Sequence, residues 1–278
     1  MSVTEKEKSM LGVQQNVTHK DCIMSDPAKR TTIYIVSHKD FIAPEMTGYL
    51  PILAGAAHNQ ADITLKDDEE INISTKNPQY CELTAQYWVW KNALNQSDNI
   101  GFVHYRRYFY KNKFKKQIVT GECFARDLQH YDVVLPEPWI LSKTVRNQFA
   151  QFHNTSDLEM VRNVLAERDP KYVPVLDRVL AGHELYSYNM FVMGRRLFDE
   201  YMTWLFGVLE EVERRVDTSA YDQYNQRLFG FLSERLLTVW VKARDLKVKC
   251  YPVYKPNDRW WEEAVRYTVK KLVYKYVD

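Results

Sequence analysis

The stretch NIGFVHYRRYFY, residues 99–110, decides how the rest of the chain is read. Its first part, Ile100, Gly101, Phe102 and Val103, is apolar and of the length expected for a buried strand. His104, Arg106 and Arg107 follow at once, set between the rings of Tyr105, Tyr108 and Phe109. In open α/β sheets, ligands settle outside the carboxyl ends of the strands. Two guanidiniums and an imidazole at such an end suit a pyrophosphate. Arginine is permanently charged, and its planar fork of donors matches phosphate oxygens. A basic strand end paired with surface carboxylates would look the same, so this stretch alone leaves both readings open.

Upstream, TTIYIVS at 31–37 is β-branched and apolar and predicts a buried first strand, with His38, Lys39 and Asp40 at its carboxyl end. If the two strands run parallel, His38 and Lys39 share a rim with His104 and the arginines. Residues 50–57 predict a short strand and turn. Residues 62–70 read as an acidic loop, in which Asp67 and Asp68 fit a solvated face better than a metal site. Residues 72–92, NISTKNPQYCELTAQYWVWKN, predict a helix. Ser74, Thr75 or Asn77 is placed to cap it, Pro78 sits at an early helical position, and Glu82 falls in the first turns, where the macrodipole favours an acid. The N-terminus of such a helix is also a possible anion site. Asn72, Ser74, Lys76 and Asn77 are therefore candidate ligand contacts, with plain capping as the competing reading.

Downstream, residues 111–116 form a basic loop and YDVVL at 131–135 predicts another buried strand. Helical patterns follow at 145–152, at 156–168 with Ser156 and Glu159 spaced as a capping box, and at 172–180. Asn147, Gln151 and His153 are polar groups without an assignment; a structural role is the simpler reading of His153. Residues 184–193 read as a strand entering a core, and 195–216 as a long amphipathic helix. A new helix is expected to open at Leu232, with Glu234 at its start, followed by a last strand at 248–253. The tail, residues 259–278, carries Trp261, Val265, Val269, Leu272 and Tyr276 at helical spacing with Arg266, Lys270, Lys271 and Lys275 beside them. Packing on the body of the protein is the first reading of that helix, and contact with an anionic membrane surface the second.

Strands alternating with helices predict one mixed α/β domain at 31–255, between a polar leader at 1–30 and the basic tail at 256–278. The chain has 278 residues and a net charge of +2, which argues against a nucleic-acid footprint. Aromatics are abundant, at 14%, and suit sugar rings and bases as well as cores. Cys22, Cys81, Cys123 and Cys250 form no CxxC pair, so neither zinc nor a disulfide framework is indicated. No apolar run approaches the roughly 20 residues of a membrane helix, and the N-terminus lacks a signal-peptide core. A cytoplasmic location is expected.

Taken together, IYIVSHKDF (33–41), NIS-x-KN-x-x-YCELTAxYWVWKN (72–92), IGFVHYRRYF (100–109), YDVVLP (131–136), YNMFVM (188–193) and GFLSERLLTVW (230–240) closely resemble a family of bacterial polysaccharide-biosynthesis glycosyltransferases. These act in capsular, exopolysaccharide and O-antigen synthesis and include the galactofuranosyltransferase module of an O-antigen polymerase. The resemblance covers about residues 31 to 255. It implies a GT-A-like fold, a nucleotide-binding mixed sheet flanked by helices with a helical acceptor-side portion. It also implies a UDP-sugar donor, with galactofuranose one candidate sugar, and a glycan or lipid-linked glycan acceptor.

Many GT-A enzymes carry an Asp-x-Asp metal motif where this chain reads His104-Tyr105-Arg106. Fixed cations in place of that motif lead to the expectation of no catalytic metal and no other cofactor, with His104, Arg106 and Arg107, supported by His38 and Lys39, on the diphosphate. Glu234 is the candidate base of an inverting transfer, Asp222 its reserve. Tyr188 and Asn189 are candidate contacts to donor sugar or acceptor. A non-catalytic nucleotide- or carbohydrate-binding module would share the aromatics and arginines and is the alternative.

Overall fold

The computed structural model describes residues 30–112 and 117–254. Strand β1 (Thr31–Ser37) is buried along its whole length, as its unbroken β-branched run requires. Its side chains alternate: Ile33 and Ile35 face one apolar layer, Tyr34 and Val36 the other. After it come β2 (Tyr49–Leu53), β3 (Leu65–Lys66), two short helices α1 (Asn77–Tyr80) and α2 (Leu83–Trp88), β4 (Asn99–His104) and β5 (Tyr108–Phe109). The middle of the chain holds α3 (Gly121–Asp127), β6 (Val133–Pro136), β7 (Trp139–Ile140), α4 (Val145–Ala150), α5 (Ser156–Arg168), α6 (Val173–Ala181) and β8 (Glu184–Leu185). It closes with β9 (Phe191–Gly194), α7 (Arg195–Arg215), α8 (Leu228–Ala243), β10 (Val248–Tyr251) and β11 (Val253–Tyr254).

Seven strands form the main sheet in the order β10-β6-β9-β4-β1-β2-β3. All pair in parallel except β9, which runs antiparallel to both its neighbours, β4 and β6. That reversal positions the site. The residues entering β9 arrive at the same rim where β1 and β4 end, and the register that pairs Phe102 with Phe191 carries His104 to the level of Tyr188 and Asn189. The mixed sheet flanked by helices is the architecture expected from the sequence.

On one face, α7 buries Phe198, Tyr201, Met202, Leu205, Leu209 and Val212, three or four residues apart, against Phe102 and Phe191 of the sheet and the apolar side of α8. On the other face, Phe124 of α3 packs with Phe109 and Tyr251. No described helix is long and apolar enough to cross a membrane. The leader, the basic tail and most of the loop at 111–116 lie outside the described residues.

The single helix expected at 72–92 is instead broken. A 3-10 turn, Ser74–Lys76, leads into α1, and the chain then stops at Cys81, whose backbone lies at φ 52° and ψ −128°. The Cys81 carbonyl accepts from the Asn77 amide at 2.8 Å, the Thr84 hydroxyl at 3.1 Å and the Thr84 N–H at 3.3 Å. Helix α8 lies directly against the break, where a Cβ on Gly230 would come within 3.2 Å of Cys81 Sγ. No side chain caps α1 or α2. The capping box expected at Ser156 is likewise absent: Asn154 Oδ1 accepts the Ser156 N–H, and Glu159 pairs with Arg146.

Helix α8 also begins earlier than expected, at Leu228, because Leu228, Phe229 and Leu232 bury together on the face that continues through Leu236. Glu234 therefore sits in the second turn rather than at the helix start, and a stabilising contact with the helix dipole does not account for it. The strand expected over 184–193 divides into β8, a turn, and β9. Asp67, expected on a solvated acidic face, is fully buried. Its carboxylate accepts from the Gly55 and Ala56 N–H groups at 2.8 and 2.9 Å and from the Ser74 hydroxyl at 2.5 Å.

Candidate active site

Strand β4 ends in a tight turn. The His104 N–H donates to the Arg107 carbonyl at 3.2 Å and the Arg107 N–H to the His104 carbonyl at 3.0 Å, so Tyr105 and Arg106 form the tip. Strand β1 ends beside it, with Tyr105 N–H bonded to the Val36 carbonyl at 3.1 Å. The Tyr105 ring is a hub: His38 meets it edge-on, and Lys39 and Arg106 lie 5.5 and 5.6 Å from its centroid. His38, Lys39 and Arg106 are exposed at this rim, and Arg107 is half-buried. Arg107 turns the other way, with its guanidinium 4.4 Å from the centroid of the Tyr188 ring.

The turn before β9 joins this rim to α8. The Tyr188 carbonyl accepts from His104 Nε2 at 2.7 Å, and the Tyr188 N–H donates to Glu234 Oε1 at 2.7 Å. The second Glu234 oxygen accepts from Arg235 at 3.1 Å, and Arg235 in turn donates to Gln148 Oε1 at 2.7 Å. The side chain of Glu234 keeps about a fifth of its surface exposed, whereas Arg235 is buried. Burial raises the Glu234 pKa above the usual carboxylate value, opposed by Arg235 and the Tyr188 N–H and reinforced by Glu82.

Asn189 completes the turn. It is buried, and its amide donates to Glu82 Oε1 at 2.6 Å and to the Gly230 carbonyl at 3.1 Å. Both turn residues have positive φ, 76° at Tyr188 and 50° at Asn189. Two adjacent residues in that region are costly for side chains other than glycine and persist only where neighbours hold them. Here the holders are His104, Glu234, Glu82 and Gln86, whose amide donates to the Asn189 carbonyl at 2.9 Å.

His104 takes a different place from the one expected. Burial pushes its pKa down to about 4, with Arg107 and Arg106 lowering it further against the opposing Tyr188 bond and Glu234 charge. The imidazole is therefore neutral near pH 7, with its proton on Nε2, and it braces the turn rather than adding a third cation. His38 is also held below its ordinary value, by burial and by Lys39, Arg106, Arg227 and His104.

Of the four polar residues at 72–77, each has a structural partner. The Asn72 amide donates to the Asp68 and Glu70 carbonyls. Ser74 is buried against Asp67, and the Asn77 amide reaches Cys81 and Thr84. Lys76 pairs at 2.7 Å with Glu213 of α7. Asp222 is exposed and fastens a 3-10 turn by accepting from the Asn225 N–H at 2.8 Å. That bond and the Asn225 amide lower its pKa, which makes it a weaker proton acceptor than Glu234, whose pKa is raised.

Two site residues were not singled out from sequence. Glu82 looked like an ordinary acid in a helix start; the break at Cys81 turns it inward, where burial raises its pKa against the pull of Asn189, Arg227 and Arg107. Arg227 stands at the N-cap position of α8, where the macrodipole disfavours a cation, a misplacement that became visible only once the helix was seen to start at Leu228. Its Nε donates to Cys81 Sγ at 3.2 Å, and its charge also acts on His38. Burial and Glu82 hold the Cys81 thiol up at about 11, so it stays protonated. Among the described residues, no group of three His, Cys, Asp or Glu side chains is placed to hold a metal ion.

The fold has a solved counterpart in the apo structure of WbbM, a bifunctional glycosyltransferase, with a TM-score of 0.76 and 27% sequence identity. The likeness covers 82% of this chain and 46% of that one, so this chain spans a little under half the length of its neighbour. No curated protein matches. The family model described as a domain of unknown function, DUF4422, matches residues 32–245, and the chain belongs to that family.

Proposed function

We propose that this protein is a glycosyltransferase that uses a UDP-sugar to extend a bacterial surface polysaccharide of the capsular or O-antigen kind, with a glycan or lipid-linked glycan as acceptor. One observation carries the reading: the Arg107 guanidinium and the Glu234 carboxylate meet on a single turn, Tyr188–Asn189, at the carboxyl rim of the sheet, with Arg106 at the tip of the neighbouring turn. The likeness to WbbM supports glycosyl transfer in general. The UDP donor and galactofuranose as one candidate sugar come from the motifs resembling polysaccharide-biosynthesis enzymes, and inversion from the single candidate carboxylate, Glu234.

In this reading, Arg106 and Arg107 hold the diphosphate and stabilise its growing charge as the bond from the sugar's anomeric carbon to the β-phosphate oxygen breaks. Glu234, with a raised pKa and an exposed edge, takes the proton of the acceptor hydroxyl as its oxygen attacks that carbon from the opposite face. UDP leaves with the bonding electrons. His104 and Asn189 position the turn between them and touch neither substrate. Neutralisation of the leaving group by arginine makes the transfer metal-independent. Catalysis belongs on the cytoplasmic side, with residues 259–278 as the candidate membrane contact.

Release of UDP from a panel of UDP-sugars, with and without glycan and with and without a chelator, tests this. Release that survives the chelator is expected. Loss of release with chelator would refute the metal-free step, and tight UDP binding without any release would return the protein to a non-catalytic binding module.

A further inference from the structure

A band of aromatic rings leads away from Glu234 over the surface of the protein. It starts at Phe231, one turn before Glu234 in α8, where the Arg227 guanidinium lies 5.4 Å from the ring centroid. The Phe231 ring is 4.2 Å from His153 and 5.1 Å from Tyr224. His153 stacks on Tyr224 at 10° between planes and 5.5 Å between centroids, and Phe152 meets it at 6.5 Å. The outer rings are open to solvent: Tyr224 is 49% exposed and Phe152 55%. The inner ones are anchored, His153 by a 2.8 Å bond from Nδ1 to Asn225 Oδ1, and Phe149 beneath it by Arg235, whose guanidinium lies 5.2 Å from the ring.

A carboxylate stands at the outer end of the band. The Asp222 carboxylate is held by the N–H and the amide of Asn225 and points into solvent beside Tyr224. Beside the band, and lined by none of its rings, Asn147 and Gln151 border a separate open groove of about 520 Å³ with Lys143 and His183; Gln151 immediately precedes Phe152 in the chain. Exposed rings with a carboxylate beside them and amides on the adjoining surface match one kind of ligand. A sugar ring has an apolar face of C–H groups, which an aromatic ring covers, and a rim of hydroxyls, which planar polar groups bind. A lipid chain would need an unbroken apolar track, and this surface interrupts its rings with charge.

We infer that an oligosaccharide, the acceptor of the transfer, lies along the band formed by Phe231, Tyr224 and Phe152 and enters the site beside Glu234. The inference rests on the transferase reading but names a different part of the surface from the donor grip. Asp222, exposed beside Tyr224, becomes a hydroxyl acceptor at the outer end of the band.

The test uses a printed array of bacterial surface oligosaccharides for the glycan and calorimetry with UDP for the donor. The wild-type protein is expected to bind a subset of the array. The Tyr224→Ala/Phe152→Ala double variant should bind it about tenfold more weakly, the scale of one or two lost ring contacts, with UDP affinity unchanged. Tyr224→Phe, which keeps the ring, should bind as wild type does. Both rings are about half exposed, so only a small drop in melting temperature is expected, and the unchanged UDP affinity shows that the site is intact. Undiminished glycan binding by the double variant, or no wild-type glycan binding alongside normal UDP binding, overturns the acceptor path. Absence of UDP binding in the wild type would bring down the donor reading instead.

Discussion

The Tyr188 N–H donates to Glu234 Oε1 at 2.7 Å while the Tyr188 carbonyl accepts from His104 Nε2 at the same distance. One peptide turn thus fixes the candidate base relative to the end of β4, and the arginines beside it inherit that geometry. The turn is backbone-strained at two successive residues, so its shape depends on the groups that hold it.

Asn189→Ala removes the side-chain bond through which Glu82 holds the turn. It leaves the Glu82 carboxylate and the Gly230 carbonyl without their amide donor in a buried place. A stability loss of about 2–3 kcal/mol is expected, since one of the orphaned acceptors is charged. Turnover should fall more than UDP affinity, because the substitution touches no donor contact. Urea denaturation and a comparison of turnover with UDP affinity check this; unchanged stability would mean that Glu82 finds another donor.

Arg106→Ala and Arg107→Ala should each weaken UDP binding by roughly tenfold to a hundredfold, the range for one charge-assisted hydrogen bond. Arg107→Lys should recover only part of the affinity, because a lysine cannot reproduce the planar fork or the stacking on Tyr188. Calorimetric titration with UDP reads both effects, and wild-type affinity in Arg106→Ala would remove it from the donor site.

His104 links the site to acid stability. Its folded pKa of about 4 lies below the unfolded value of 6.5, so protonation favours the unfolded chain. The contribution is fully present above pH 6.5 and is lost as pH falls from there toward about 4. It amounts to about 3 kcal/mol. His104→Gln, which has no titrating ring, should show a shallower loss of stability between pH 7 and pH 5 in urea melts. An identical slope would contradict a buried neutral imidazole.

The central sheet was legible because its strands announce themselves. TTIYIVS and IGFV are apolar on both faces, which is what a parallel strand covered by helices requires. The rim residues His38, Lys39 and His104 through Arg107 followed from where those strands end. The helix at 72–92 was misread because the chain is in fact locally helical on both sides of Cys81, and the break is imposed by α8 packing against it rather than by any glycine or proline at that point. Hidden with the break were Glu82 and its partner Asn189, which lie more than a hundred residues apart in sequence. The charge state of His104 was hidden for the same kind of reason. A motif shows that an imidazole stands beside two arginines, but only the fold shows that its Nε2 is committed to the Tyr188 carbonyl and that it is partly withdrawn from water.

Glu234 is the residue on which the account turns, and Glu234→Gln tests it. The substitution keeps an acceptor for the Tyr188 N–H but removes the charge opposite buried Arg235, so melting temperature and UDP affinity are measured alongside as proof of an intact site. Wild-type kcat/KM should fall on the acid side with a midpoint above the ordinary carboxylate value, because a base with a raised pKa is protonated as pH drops through it. In Glu234→Gln, sugar transfer should drop by about 10²-fold or more across that pH range while UDP still binds. A folded, UDP-binding Glu234→Gln protein that transfers sugar at nearly the wild-type rate would contradict the account.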